Sequence, residues 1–152
     1  MKNYSYEQLL NEGYTVSNAL ITKADIAMTE SGYLTFVLSL DGGAWVTTYG
    51  GYAIGKGYLG APDDFFAGSD LGLEAIIRIM NAVGVESFHD FQGKYVRVAF
   101  KDTKEPVTII GNVLHDTWFD VKAFFEPDTD EAQEENSEIL IEDLASQQEE
   151  TE

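Results

Sequence analysis

The sequence predicts an α+β fold: a mainly antiparallel five-stranded sheet or OB-like barrel, in the order β-β-β-α-β-β, with one main helix and a disordered acidic C-terminal tail. Three observations predict it. Runs of alternating apolar and polar residues follow one another with turn signals between them, as in "YLTFVLSLDGGAWVTTY". One stretch, Asp70 to Val83, instead repeats its apolar residues with helical period. The strands come in hairpin pairs rather than alternating with helices, which favours antiparallel pairing. A helix between the third and fourth strands matches the element order of an OB-type Greek-key barrel.

The elements follow in order. "SYEQLLNEG" has Ser5 and Gln8 at capping-box spacing and stops at Gly13, a short helix. Tyr14 to Thr29 has no breaker and sets Leu20, Ala24, Ile26 and Met28 on one face of a strand. The next strand alternates strictly, with Leu34, Phe36, Leu38 and Leu40 inward and Tyr33, Thr35, Val37 and Ser39 outward. "DGG" makes a hairpin because Asp and Gly tolerate positive φ, and Ala44 to Tyr49 is the third strand. After a Gly-rich segment, the main helix presents Leu73, Ile76, Ile77 and Met80 as its apolar stripe. Ser69 or Asp70 caps its start, and Gly84 ends it with Val85 placed against Met80. "SFHDFQG" is a helical turn, "KYVRVAF" the fourth strand and "VTIIGNVL" the fifth. "DTWFDVKAFF" closes the domain as a helical aromatic lid.

At 152 residues the chain is long enough for one domain with a real core. We expect a single folded domain over residues 1–125 and an acidic tail over 126–152. The absence of cysteine excludes disulfides, thiolate metal sites and cysteine nucleophiles. The first residues lack the apolar core of a signal peptide, and no run has the roughly 18 apolar residues of a membrane span, so the expected setting is the cytoplasm.

Net charge is −18, unevenly spread. Residues 126–152 hold 12 acidic residues and no Lys or Arg, whereas residues 1–125 stand at −6. Such a tail buries too little apolar surface to offset its ordering entropy. Within it, "SEILIEDLA" places Ile139, Leu140 and Leu144 among Glu134, Glu135, Glu138, Glu142 and Asp143. It reads either as a transient helical turn or as a short motif that folds in a partner's groove.

Four features bear on chemistry. "YGGYAIGKGYLG" contains a G-x-G-x-x-G at Gly55, Gly57 and Gly60. A dinucleotide fingerprint needs a helix to begin at once; here Asp63 and Asp64 follow, and the helix starts some residues later, so bends or close backbone approach explain the glycines. The dipeptides His89-Asp90 and His115-Asp116 are candidate ligands for a metal-dependent hydrolase, although both aspartates also suit caps and turns. Outward residues of the second and third strands, Tyr33, Trp45 and Tyr49, with Tyr52, Lys56 and Tyr58 beyond, would form an aromatic face able to stack bases or contact a protein. The basic residues are scattered, which weakens the nucleic-acid reading. Finally, a strongly acidic surface steers towards basic partners, including nucleic-acid-binding proteins.

"LTFVLSLDGGAWVTTYGGYAIG", "GLEAIIRIMNAVGVESFHDFQGKYVRV" and "IIGNVLHDTWFD" together resemble a group of small bacteriophage and prophage proteins. The resemblance implies a phage setting and brings no catalytic residue. It leads to the expectation of a non-catalytic, phage-encoded interaction protein that inhibits a host defence or nucleic-acid-processing protein through its acidic surface, with no cofactor. An OB-like single-stranded nucleic-acid-binding accessory and the His-Asp hydrolase are the alternatives.

Overall fold

The computed structural model describes residues 3–127. Its strands are β1 (Thr15–Met28), β2 (Tyr33–Asp41), β3 (Val46–Lys56), β4 (Ala67–Gly68), β5 (Tyr95–Phe100), β6 (Ile109–Gly111) and β7 (Trp118–Asp120). Helices are α1 (Tyr6–Asn11), α2 (Asp70–Val83) and α3 (Val121–Phe125), with 3-10 turns at Asp63–Phe65 and Phe88–Phe91. All seven strands form one antiparallel sheet in the order β4-β3-β2-β1-β5-β6-β7. The α+β class is as predicted; the five-strand count is not. β4 has only two residues, too few to leave a pattern. β7 occupies part of the expected helical lid, because Trp118 pairs with Gly111 and lays its ring where a Gly111 side chain would stand. α3 starts only after it, with the Asp120 carboxylate accepting from Ala123 N.

The sheet curls into a half-barrel. Tyr49 of β3 reaches across the concave side, and its hydroxyl donates to the carbonyl of Phe119 in β7 at 3.1 Å. A closed barrel has no ends, whereas this sheet has two, β4 and β7. Strand count and order, rather than the curl of the sheet, are where it departs from the expected five-stranded OB-like barrel.

α2 lies on the concave side against β3, β6, β7 and α3. Ser69 caps it through Gly72 N, and Gly84, at φ 81°, ends it with both Gly84 N and Val85 N donating to the Met80 carbonyl. The buried face is Gly72, Ala75, Ile79, Ala82 and Val83. The predicted stripe was displaced: Ile76 and Met80 are half-buried, while Leu73 and Ile77 are exposed. Small residues take the contact because the helix sits close; a Cβ on Gly72 would come within 2.6 Å of Ile54 Cα. The main core adds Phe36, Leu38, Leu40, Tyr49, Phe91, Val96, Val98 and Ile110. On the other side of the sheet, Leu9 of α1 joins Ala99 and Ile109 in a second small core, held by the predicted Ser5–Gln8 capping box.

A bulge in β1 and the hairpin register of β3 on β2 decide which strand faces are buried. In β1 the register shifts between Ile21 and Lys23, so Ala19 and Ile21 are buried but Ala24 continues the core face beyond the shift. Leu20 is thus not on the face of Ala24, as was expected. In β3, Thr47 and Tyr49 stand opposite Leu40 and Leu38, and directly opposed residues share a face. Trp45, Thr47 and Tyr49 therefore point towards the core rather than outward.

Candidate functional site

Because the half-barrel stays open, β3 has a neighbour beyond its outer edge only at Gly55 and Lys56, where β4 pairs with it. Beside the rest of that edge is a cleft of about 670 Å³. A smaller hollow of about 60 Å³, lined by Trp45, Val46 and Thr47, shares Phe100, Asp102, Glu105 and Val107 with it. One wall is thus Trp45 and β3 from Val46 to Tyr52. The other is the end of β5, the loop 101–107, Thr108 and the turn from β7 into α3.

The paired glycines shape the β3 wall. Thr35 pairs with Ala53 but Val37 pairs with Gly50, so Gly51 and Tyr52 oppose Phe36 alone. Gly50 and Gly51 both have positive φ, 97° and 87°. A Cβ on Gly50 would stand 2.6 Å from the Phe36 carbonyl oxygen, whereas one on Gly51 would meet nothing within 4 Å. Past this bulge Tyr52 stacks on Phe125, ring centroids 4.5 Å apart at 9°, and donates its hydroxyl to Glu126 Oε2 at 2.7 Å. Partial burial, then the Glu126 carboxylate, pushes the Tyr52 phenol above its ordinary pKa. Full burial, then the charge of Asp120, does the same for Tyr49.

Four carboxylates line the cleft, Asp102, Glu105, Asp120 and Glu126, against two lysines, Lys101 and Lys122. Lys101 sits over the Tyr14 ring, 4.6 Å from its centroid. Among the described residues, no ion pair joins any of the four carboxylates to a Lys or Arg. Asp102 and Asp120 accept backbone N–H bonds from Lys104 and Ala123, which fixes their orientation without neutralising them.

The aromatic face expected from sequence is dispersed. Tyr49 is 0% exposed, so it belongs to the core. Trp45 packs edge-on against Phe100 and covers Gly42. Tyr33 and Lys56 are register partners at the opposite end of β3, in a shallow depression beside β4. Tyr58 is exposed and edge-on to Phe65 in the loop after β3. Only Trp45 and Tyr52 of this set border the cleft or its extension. The G-x-G-x-x-G serves close approach: Gly55 faces the Ala67 carbonyl of β4, and Gly57 lies under the Phe66 ring.

The two His-Asp pairs sit on separate turns. His89 is exposed on Phe88–Phe91; His115 is exposed between β6 and β7. Asp116 Oδ1 accepts from Tyr6 N at 2.7 Å and from Trp118 Nε1 at 2.6 Å, so it ties α1 to β7. Arg97 braces the same turn, donating to the carbonyls of Asn112 and His115 while its guanidinium rests on the rings of Trp118 and Tyr6. Among the described residues, no three His, Asp or Glu side chains gather as a metal site.

Sequence reasoning missed Tyr14, Asp102, Glu105, Asp120 and both cleft lysines, since these come from three separate segments. The usable signal was the Gly50-Gly51 pair inside a strand pattern, which marks a bulge. Glu126, assigned to the tail, caps α3 and lines the cleft. The tail residues Glu134, Glu135, Glu138, Ile139, Leu140, Glu142, Asp143 and Leu144 lie outside the described residues. No protein-family model, curated protein or solved structure matches the chain.

Proposed function

We propose that this is a non-catalytic interaction protein whose acidic surface, centred on the seam cleft, binds a basic region of a partner protein. The observation that carries the reading is the unneutralised carboxylate excess in the largest concavity among the described pockets. Concave surfaces of this size are where ligands bind, and an uncompensated negative potential selects positively charged ones. The resemblance to phage proteins supports a bacterial host factor as the partner, with inhibition of a defence or nucleic-acid-processing protein as the outcome. Single-stranded nucleic acid is the second reading, favoured by the Tyr52–Phe125 stack beside the cleft. The carboxylate excess weighs against it, since phosphates need cations.

The test is affinity capture from bacterial lysate with the full chain, with and without nuclease. The proposal expects a protein partner that survives nuclease, is released at about 0.5 M salt as screening shortens the range of charge, and is lost with Asp102→Lys plus Glu105→Lys. Capture abolished by nuclease would overturn it in favour of nucleic acid.

A further inference from the structure

We propose that the seam cleft is a strand-addition site, in which an extended, Lys- or Arg-bearing segment of the partner pairs with the open edge of β3. This rests on the interaction reading above and adds its site and binding mode. Four observations converge.

First, β3 is flanked by β2 on one side and by β4 only at Gly55 and Lys56, so no strand among the described residues covers its outer edge from Val46 to Ala53. Second, the cleft and its extension follow that edge from Trp45 to Tyr52. At about 3.3 Å per residue this matches a strand of ordinary length. Third, that edge, "VTTYGGYA", contains no proline and no charge, two of the devices that keep other strands away, and its bulge interrupts it only at Gly51–Tyr52. Its central Gly51 leaves open space where a side chain would stand, which admits a second backbone. Fourth, the facing wall carries Asp102, Glu105, Asp120 and Glu126 without ion-pair partners among the described residues.

Charge decides the occupant. A second copy of this chain would bring another surface of a −18 protein to an acidic cleft, and a nucleic acid would bring phosphates. A basic extended peptide satisfies both the backbone edge and the carboxylates, with main-chain bonds giving affinity and alternate side chains giving specificity.

The experiment selects random ten-residue peptides against the full-length protein. It then measures binding of the best peptide to wild type, Glu105→Lys and Thr48→Trp by fluorescence anisotropy. Thr48 and Glu105 are exposed and line opposite walls; thermal melts of both variants are the check that they fold. The expected peptides alternate basic and β-branched residues. Glu105→Lys should weaken binding about 5-fold, and N-methylation of alternate peptide bonds about 10-fold. Backbone amides from 46 to 53 should gain exchange protection in the complex. Peptides without basic residues, equal binding by all three proteins, unchanged edge amides, or displacement by a single-stranded oligonucleotide would each overturn the proposal. If the lysate partner is still captured by Thr48→Trp, strand addition fails while the interaction reading stands. If no protein is captured and no peptide is selected, both fail.

Discussion

Replacing Tyr49 by Phe removes one hydroxyl from a fully buried ring and leaves the ring's volume in place. What is lost is the bond to the Phe119 carbonyl, which joins β3 directly to β7. A net hydrogen bond plus a poorly satisfied buried carbonyl amounts to about 1–2 kcal/mol at neutral pH, or roughly 3–6 °C in Tm for a domain of this size. The pH dependence makes the test sharper. Burial, then Asp120, raises the phenol's folded pKa above its unfolded value, so its contribution is complete below about pH 10 and falls as pH rises through the folded value. At pH 11 ionisation of this phenol in the unfolded chain alone would cost wild type about 1.4 kcal/mol, and Phe at this position escapes it. Tyr4 and Tyr52, raised mainly by burial, titrate alike in both proteins and cancel in the difference. Denaturant titrations of both proteins at pH 7 and pH 11 should therefore show a clear stability gap at pH 7 that has nearly closed at pH 11. A gap of equal size at both pH values would refute the account of a neutral, bonded phenol spanning the open barrel.

The glycine pair gives a matched comparison: Gly50→Ala meets both positive φ and the Phe36 carbonyl and should cost about 3 kcal/mol, whereas Gly51→Ala meets positive φ in open space and should cost about 1–2, both read by urea midpoints. On α2, Ile79→Ala should lose about 3–4 kcal/mol and Ile77→Ala under about 0.5; similar losses would restore the displaced stripe. Arg97→Lys keeps the charge but not the planar fork over Trp118, and a loss of about 2 kcal/mol is expected in thermal melts.

Much of the fold was legible because local chemistry marks its boundaries. Ser5 with Gln8, Ser69, the Asp41-Gly42-Gly43 hairpin and Gly84 with Val85 each act at the predicted place. The failures share one physical cause, which is that local patterns carry phase but not its interruptions. A single extra residue near Thr22 inverts the parity of β1 beyond it, and β3 shifts register twice, at Gly51–Tyr52 and again at Ile54. On α2, Gly72, Ala75 and Ala82 look like poor core residues, yet close approach to β3 requires small side chains where Leu73 and Ile77 appeared better suited. The candidate site was the least legible part. Its two walls are brought together only by the curl of the sheet, and no run of residues announces that a sheet will curl without closing. Even so, Tyr52 was singled out from sequence, and it does border the cleft.

Strand β1 bears one more consequence, for the order in which the molecule assembles. Its first half pairs with β5, joining Thr15 to Phe100, and its second half pairs with β2, joining Met28 to Leu34. The β1–β2–β3 and β5–β6–β7 sets are each made of neighbours along the chain, and the β1–β5 ladder is the seam between them. Local hairpins close small loops quickly, but that one ladder must close a loop containing β2, β3, β4 and α2. β1 is therefore where the two halves of the sheet meet, and its ladder with β5 carries the largest loop-closure cost of the strand pairings.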